Sequence, residues 1–213
     1  MPNQTKPPRF SVIVPAHNSA AYIGKLLKSI RDQSFNDYEL IVVCDACTDN
    51  TADVAREFGA DVYEVDYHRD GLTRNYGLDQ ARGEWVLFAD DDDWFLHEYV
   101  FEMLDDVVGR HEEDILTFSF IWRTQGYTRN YPRIWIAVWN KCWRRSFIGP
   151  TRFDSDPHQS DVAFHFGMMQ KGPRMANWDM PMYYYNFLRE GSQSKELKDK
   201  GIMYQGEQWD KEG

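Results

Sequence analysis

Four consecutive aspartates, Asp90 to Asp93, directly follow an apolar run from Trp85 to Ala89. The run has the length and bulk of a strand that is buried on both faces of a sheet. Carboxylates at the carboxyl end of such a strand lie in the crevice where open α/β sheets bind ligands. Their oxygens suit Mg²⁺ or Mn²⁺, ions that commonly bridge one or two carboxylates to the phosphates of a substrate. The pattern therefore predicts a metal–phosphate site, and its simpler alternative is a solvated acidic turn that starts the next helix.

The residues around this cluster alternate between predicted strands and predicted helices. Apolar runs predict strands at 10–14, 38–43, 62–65 and 85–89, and apolar residues at helical spacing predict helices at 22–30, before Gly59 and at 72–81. Asn18 or Ser19 should cap the first helix, and Thr48 or Asp49 the second. This alternation is typical of a parallel, doubly wound sheet in an α/β fold.

Three polar segments follow strands in this arrangement: the Pro15–Asn18 turn, Asp45 and the aspartate cluster. The carboxyl ends of parallel strands meet at the same edge of a sheet, so all three segments should lie on one rim. A ligand site at that rim is a stronger prediction than any one of the loops supports alone.

The alternation stops after a helix at 99–108 and a strand at 115–122. A buried helix is predicted to begin at Asp161, a last strand at 182–188, and a polar tail covers 195–213. The simplest role of Asp161 is that of an acidic residue at a helix start, which the helix dipole stabilises.

The window from Trp122 to Arg145 differs in composition from the rest of the chain. It holds six basic residues, no acidic residue and six aromatic residues: Arg123, Arg129, Arg133, Lys141, Arg144 and Arg145, with Trp122, Tyr127, Tyr131, Trp135, Trp139 and Trp143. Interleaved basic and aromatic side chains can bind sugar rings or nucleic-acid strands. The alternative is a core-facing aromatic set, which the four-residue spacing of the last three tryptophans favours.

The overall composition is that of a globular protein with one domain. The chain has 213 residues, of which 42% are hydrophobic and 15% aromatic, and a formal net charge of −10 that argues against whole-surface attraction to nucleic acid or anionic lipid. No stretch has the apolar length of a transmembrane segment, and the first residues lack the apolar part of a signal peptide. A cytoplasmic location is the resulting expectation.

Cys44 and Cys47 form a C-x-x-C pair, which is compatible with redox chemistry or with half of a zinc site. A zinc site needs a second pair of ligands, and the only further cysteine is Cys142. Because the flanking Asp45 and Asp49 should raise the pKa of a thiol, we predict that the two cysteines simply fill a loop.

Four segments occur in the order of a known family pattern: S-V-I-V-P-A-H-N at 11–18, E-L-I-V-V-C-D-A-C-T-D-N-T at 39–51, R-N-Y-G-L with A-R-G-E-W-V at 74–86, and F-A-D-D-D-D-W at 88–94. They resemble the motifs of the inverting glycosyltransferases of family 2, which have the GT-A fold and a D-x-D motif. Weaker likenesses occur at 140–146 and 189–194. The resemblance covers most of residues 10–194.

This resemblance implies a nucleotide-sugar-binding, Rossmann-like half at 1–120, a smaller acceptor and catalytic-base half at 121–194, and a C-terminal tail at 195–213. It also implies transfer of a sugar from a nucleoside-diphosphate sugar, UDP-sugar first, with Mn²⁺ or Mg²⁺ as the cofactor. The acceptor would be a glycan or an anionic polymer such as a phosphoglycan. DNA with a hydroxymethylated base, bound through 122–145, is an alternative, and so is a non-catalytic relative that only binds nucleotide or glycan.

The resemblance also implies roles for individual residues. Asp92 and Asp90 would hold the metal ion, Asp161 would be the general base, and the donor would be bound by Pro15, Ala16, His17, Asn18, Asp45, Arg74, Asp90 and Asp91. The basic and aromatic window would supply the acceptor contacts Trp139, Lys141, Trp143, Arg129 and Arg133.

Three positions depart from the family pattern. Cys44 stands for an aspartate, Cys47 for a serine, and Ser160 for the glutamate that precedes the base. A nucleotidyltransferase should instead carry a Gly-rich, basic loop near the start of the chain, and the Pro15–Asn18 turn is neither.

Overall fold

The computed structural model describes residues 6–110, 112–124, 127–131, 136–156 and 160–186. The strands in these ranges are β1 (Phe10–Ala16), β2 (Tyr38–Asp45), β3 (Asp61–Val65), β4 (Trp85–Phe88), β5 (Trp94–Phe95), β6 (Ile115–Thr124), β7 (Tyr127–Tyr131), β8 (Lys141–Arg144) and β9 (Met175–Tyr185). The helices are α1 (Ile23–Arg31), α2 (Thr51–Glu57), α3 (Asp70–Gln80), α4 (Val100–Arg110), α5 (Arg145–Ile148) and α6 (Ser160–Gln170).

The described strands form one sheet in the order β3-β2-β1-β4-β8-β6-β9-β5, and β7 pairs with β6. The pairs β3–β2, β2–β1 and β1–β4 are parallel, as the alternating pattern predicts. On the other side of β4 the pairs β4–β8 and β8–β6 are antiparallel, and β9 then runs parallel to β6. The boundary predicted after residue 120 falls inside β6.

The core has two layers, one on each face of the sheet. Alternate residues of β1 face opposite sides, so that Val12 and Val14 join one cluster while Ile13 joins the other. The first cluster includes apolar residues of α1, α2 and α4, and the second includes residues of α3, α5 and α6. The sheet is therefore covered on both faces, which explains why its central strands are continuous apolar runs.

The predicted cap of α1 is wrong, and that of α2 is correct only in its hydrogen bond. Tyr22 occupies the N-cap position of α1 and makes no side-chain cap bond. The Asn18 amide oxygen, predicted to cap α1, instead accepts a hydrogen bond from the Thr48 amide at 2.7 Å. Asn50 precedes α2, although Asp49 does accept a hydrogen bond from the amide of Thr51 at 3.0 Å.

The last strand begins at Met175, well before the predicted start at residue 182. Asn177 and Asp179 interrupt its first part, so no continuous apolar run indicates it. Asn177 and Asp179 accept hydrogen bonds from the buried hydroxyls of Thr117 and Ser119 in β6, each at 2.5 Å. Polar pairing therefore holds this part of the sheet together.

Glu39 ties together the end of the sheet opposite the aspartate cluster. Its buried carboxylate accepts hydrogen bonds from the Ser11 hydroxyl at 2.6 Å, from the Arg82 amide at 2.6 Å and from the Arg82 Nε at 2.8 Å. Burial opposes the ionisation of Glu39, but these hydrogen bonds outweigh it and lower its pKa. The carboxylate therefore stabilises the fold at neutral pH, and this contribution disappears as the pH falls through the folded-state pKa.

We expect Glu39→Gln to lower the free energy of unfolding by about 2 kcal/mol at pH 7, because it removes a charged acceptor from three donors. The difference from the wild type should shrink progressively below about pH 4, because the pH there falls below the ordinary glutamate pKa of about 4.3 and approaches the lowered folded-state pKa of Glu39. Urea unfolding at both pH values measures it. Glu57→Gln, at an exposed position at the end of α2, is the matched control and should change little. An equal loss of stability for Glu39→Gln at the two pH values would contradict the assignment.

Candidate active site

The predicted polar segments do lie on one rim of the sheet. Ala16 and Cys44 are level in the parallel pair β1–β2, which places the Pro15–Asn18 turn beside Asp45. The amide of Ala89 donates a hydrogen bond to the Ile13 carbonyl at 3.0 Å, so the aspartate cluster leaves the sheet beside the same turn.

Arg74 of α3 lies at the centre of this rim and joins its two sides. Its side chain is only 7% exposed, its Nη2 lies 2.9 Å from Asp90 Oδ1, and its Nη1 lies 3.4 Å from Asp161 Oδ1. Burial disfavours the charge of Arg74, but the carboxylates of Asp161 and Asp90 outweigh that effect and raise its pKa. The guanidinium is therefore a permanent positive charge between the two acidic groups.

Asp161 reaches the rim because α6 begins against the start of α3. Asp161 is the second residue of α6. The start of α6 and the segment before it pack against Gly71 of α3, where an added Cβ would lie 3.0 Å from the Ser160 Cβ and 2.2 Å from the Asp154 carbonyl oxygen. A glycine is needed at this close approach. Asp161 is 28% exposed at its side chain, and its Oδ1 has no hydrogen-bond partner among the described residues.

The four aspartates have four different environments. Asp93 is 1% exposed, and its Oδ1 accepts a hydrogen bond from the Asn186 amide at 2.7 Å. Asp91 accepts one from the His17 amide at 3.3 Å, and Asp90 contacts Arg74. Asp92 lies between them, half-buried. Asp93 is therefore buried and bonded within the protein, whereas the other three carboxylates are partly exposed.

The cluster carries more negative charge than its surroundings neutralise. Burial raises the pKa of Asp90 to about 7, with the charges of Asp161 and Asp92 adding to the effect and Arg74 opposing it. Burial and the charge of Asp92 also raise the pKa of Asp91 to about 8. Protonation of a carboxylate relieves such repulsion, and a bound cation would relieve it as well.

The donor set fits a magnesium or manganese ion that shares its coordination with a substrate. No group of three or more possible ligands converges within the described residues. Mg²⁺ typically binds one or two carboxylates plus substrate phosphates and keeps several waters, so Asp92 and Asp90 suffice as protein ligands. The chemistry of these carboxylates therefore agrees with the predicted cofactor.

The Pro15–Asn18 turn is held in one conformation by its hydrogen bonds. His17 Nδ1 lies 2.6 Å from the Asp45 carbonyl oxygen, which can only accept, so the proton of a neutral ring is on Nδ1. Asn18 has a φ of 47°, a left-handed conformation that asparagine tolerates better than most residues.

Asp45 is committed to holding the loop before α3. Its carboxylate accepts hydrogen bonds from the amides of residues 67, 68 and 69 at 2.6, 2.9 and 2.9 Å, and from the Thr73 hydroxyl at 2.8 Å. Burial opposes its ionisation, but these hydrogen bonds prevail and lower its pKa. A contact to a nucleobase would have to be shared with these bonds, so the predicted base contact stays a prediction.

Three residues that were predicted to contact the acceptor are instead buried inside the protein. Trp139, Lys141 and Trp143 are 3%, 0% and 0% exposed, and the two tryptophans belong to the apolar layers of the core. Trp139 stacks on Tyr183 with the ring centroids 5.1 Å apart, and Trp143 donates from its indole to the Val138 carbonyl at 3.1 Å. The core-facing alternative was the right one, although these residues lie in a turn and in β8 instead of a helix.

The rest of the basic window is only partly described. Arg144 lies over the Trp85 ring at 4.4 Å and contacts Glu84 at 3.4 Å, so it is not a free surface cation. Arg129 lies in β7, but nothing is described of its side chain, and Arg133 lies outside the described residues. Their role in acceptor binding stays a prediction.

The structure adds residues that the sequence did not indicate. The hydroxyl of buried Tyr183 accepts a hydrogen bond from the Asp90 amide at 3.0 Å. Behind Asp161, burial lowers the pKa of Lys141 to about 7 against the effect of Asp161, and lowers that of His165 to about 4. No local pattern could reveal these contacts, because each joins segments that are far apart in the chain.

The raised thiol pKa predicted for the C-x-x-C pair is wrong for Cys47. A hydrogen bond from Cys44 lowers the pKa of Cys47 to about 6, although burial and Asp49 act in the opposite direction. The same hydrogen bond, together with burial, raises the pKa of Cys44. The prediction failed because the hydrogen bond from Cys44 outweighs the effect of the acidic neighbour Asp49.

Comparison with known proteins gives a family match over most of the chain. The family model described as Glycosyl transferase family 2 matches residues 11–174. EpsH of Bacillus subtilis (strain 168), assigned as a glycosyltransferase, is 26% identical over 208 residues, covering 84% of this chain and 60% of that protein. The poly(ribitol-phosphate) β-N-acetylglucosaminyltransferase TarS of Staphylococcus aureus (strain Mu50) is 35% identical over 116 residues, covering 51% of this chain and 20% of TarS.

Solved structures resemble the fold closely. S. aureus TarS 1–349 in complex with UDP-GlcNAc aligns with a TM-score of 0.77 and 25% identity, over 88% of this chain and 60% of that one. Glucosyl-3-phosphoglycerate synthase of Mycobacterium tuberculosis, in complex with Mn²⁺, UDP and glucosyl-3-phosphoglycerate, aligns with a TM-score of 0.66 and 17% identity, over 93% of this chain and 82% of that one. The predicted α/β fold of GT-A type is thereby confirmed.

The chain spans less than two thirds of the length of the two curated relatives, 60% of one and 20% of the other. Among the described residues, no helix combines the length and the apolar character that crossing a membrane requires.

Proposed function

The chain belongs to glycosyl transferase family 2, and we propose that it transfers a sugar from a nucleoside-diphosphate sugar to an acceptor hydroxyl with inversion at the anomeric carbon. The observation that carries this proposal is the position of Arg74 between Asp90 and Asp161. In this arrangement Arg74 would contact the leaving diphosphate, and Asp161, the candidate base, would lie on the other side of the transferred sugar. We also expect a cytoplasmic location, which remains a prediction.

The donor side consists of the rim residues and the aspartate cluster. Arg74 supplies a fixed cation to the diphosphate, with a planar fork suited to phosphate oxygens. A divalent ion held by Asp92 and Asp90 would stabilise the negative charge that develops on the leaving group. The Pro15–Asn18 turn and the Asp45 loop would surround the nucleoside. UDP is the nucleotide we propose, since TarS, a structural relative, is solved in complex with UDP-GlcNAc.

The acceptor side has Asp161 as its general base. Its exposed oxygen would remove the proton of the acceptor hydroxyl as that oxygen attacks the anomeric carbon. The attack comes from the side opposite the leaving diphosphate, and one displacement inverts the centre. Arg74 orients the Asp161 carboxylate from the donor side, at 3.4 Å.

A glycan or a phosphate-bearing glycan polymer is the acceptor class that we propose. TarS is named as an enzyme that acts on poly(ribitol-phosphate), an anionic polymer. The basic window that suggested an anionic acceptor retains Arg129 and Arg133 as candidates, while Lys141 and Arg144 make internal contacts. Nothing in the described part of the window or in the relatives named above supports DNA, so we do not propose it.

We expect one nucleotide sugar among UDP-GlcNAc, UDP-glucose and GDP-mannose to raise the melting temperature of the protein, and to do so only with Mn²⁺ or Mg²⁺ present. At a hundredfold excess over Kd the gain is about 2.7 kcal/mol, because the ligand binds only the folded state. Glu57→Gln should bind equally well, since Glu57 is exposed at the end of α2.

The same samples separate an enzyme from a binding protein. Release of UDP from the preferred donor, stimulated by the metal ion, supports catalysis. A protein that binds the donor but releases no nucleotide, with or without glycan acceptors, would instead be a non-catalytic relative. Absence of any thermal shift with all donors would contradict the donor site itself.

A further inference from the structure

Cys44 and Cys47 are in contact beside the turn that lines the proposed donor site. Cys44 is 0% exposed near the end of β2, and Cys47 is half-buried in the loop that follows. Cys47 Sγ lies 3.5 Å from the Ala16 carbonyl oxygen, and Ala16 is level with Cys44 in the β1–β2 pair, so the two cysteines lie at the same corner of the fold. The amide of Asn18 also points at this sulfur. The thiol of Cys47 is thus a structural part of the Pro15–Asn18 turn.

We propose that Cys44 and Cys47 are an oxidation site, at which a peroxide forms a disulfide that weakens nucleotide binding in the neighbouring donor site. The pair has the asymmetry of reactive C-x-x-C motifs, with one accessible sulfur and one buried partner. Both residues depart from the family pattern, which has an aspartate and a serine at these positions. The effect on binding rests on the proposed function, whereas the disulfide itself does not.

The chemistry is balanced with hydrogen peroxide as the oxidant. The Cys47 thiolate attacks one peroxide oxygen, the O–O bond breaks, and hydroxide leaves, which gives a sulfenic acid on Cys47. The Cys44 sulfur then attacks the Cys47 sulfur, an S–S bond forms, and the sulfenic oxygen leaves as water with the Cys44 proton. The two sulfurs are oxidised by two electrons, and the peroxide is reduced to hydroxide and water. The lowered pKa of Cys47, about 6, favours the first step at neutral pH.

The disulfide affects the turn because it changes what the Cys47 sulfur can bond. As a thiolate, the Cys47 sulfur accepts from the amide of Asn18; once bonded to Cys44 it is a much weaker acceptor, so this contact with the turn is lost. The turn on the other side is held to the same loop by the Asn18 side chain, which accepts from the Thr48 amide at 2.7 Å. Movement of one loop therefore moves both walls of the proposed nucleoside pocket.

Cys142 provides the internal control. It is 0% exposed in β8, and burial raises its pKa well above the ordinary value. A thiol of this kind should stay reduced under mild peroxide treatment. The variants Cys44→Ala, Cys47→Ala and Cys142→Ala therefore distinguish reaction at the pair from general oxidation.

The test treats the protein with hydrogen peroxide and then with dithiothreitol. We expect a mass loss of about 2 Da in the wild type and in Cys142→Ala, reversed by the reductant, and no such loss in Cys44→Ala or Cys47→Ala. Affinity for UDP with Mn²⁺ should fall about tenfold or more on oxidation, a change of about 1.4 kcal/mol, and should return on reduction. Amide exchange at Asn18 and Thr48 should become faster in the oxidised protein.

The possible failures have different meanings. If the wild type shows no mass loss, or if both single variants still form a disulfide, the oxidation site is wrong. If the disulfide forms but neither UDP affinity nor amide exchange in the turn changes, the link to the donor site is wrong. If even the reduced protein does not bind UDP, the proposed function fails, and the mass and exchange measurements still decide the oxidation site.

Discussion

Asp92→Ala is expected to remove the dependence of donor binding on a divalent ion, leaving at most weak, metal-independent binding of the nucleotide. Asp92 is half-buried within the cluster, where its charge contributes to the raised pKa of Asp90 and Asp91. An alanine leaves Asp90 as a single ligand already bonded to Arg74. Mn²⁺ would then have one protein carboxylate in place of two, too few to hold it together with the substrate phosphates. Calorimetric titration of UDP with and without Mn²⁺ measures the difference.

The adjacent aspartate offers a matched comparison. Asp93→Asn should preserve both the fold and the metal dependence of binding, because the asparagine amide oxygen can still accept from the Asn186 amide and burial already raises the pKa of Asp93 well above its ordinary value. If Asp92→Ala keeps full metal-dependent affinity for UDP while Asp93→Asn loses it, the roles assigned to the two residues are reversed. If both keep it, the ion is not held by this cluster.

The contrast between these neighbours shows the limit of the sequence. The apolar run and the four aspartates predict where the cluster is, because strand burial and charge are local properties of the pattern. They do not predict which carboxylate is structural. That assignment depends on Asn186 and Tyr183, which lie about ninety residues further along the chain and contact Asp93 and Asp90.

The two halves of the fold differ in the same way. The parallel half was predicted because its strands are buried on both faces and its helices are amphipathic. In the second half Asn177 and Asp179 interrupt the first part of β9 and bond to β6, and Lys141 is a fully buried lysine, so hydrophobicity gave no signal. The composition of the window suggested a binding surface, but Trp139 and Trp143 fill the core. Composition does not separate the two arrangements, because tryptophans interleaved with arginines occur in both.

The strongest test of the proposed chemistry is Asp161→Asn, which should lower turnover by about a hundredfold or more, the usual scale for loss of a general base. Affinity for UDP with Mn²⁺ should remain close to that of the wild type, because the proposed role of Asp161 is on the acceptor and the amide nearly preserves its shape. Single-turnover measurements with a saturating donor separate the chemical step from binding.

Asp154→Asn is the matched control for that variant, since Asp154 is an exposed carboxylate in the segment just before α6. It should keep wild-type turnover. If Asp161→Asn also keeps it, the base is another residue. His165 is then a poor substitute, because it is buried one turn further along α6 and burial, with the charge of Lys141, lowers its pKa to about 4. The search would move to His158, which lies outside the described residues, and a loss of turnover on His158→Ala would relocate the base there.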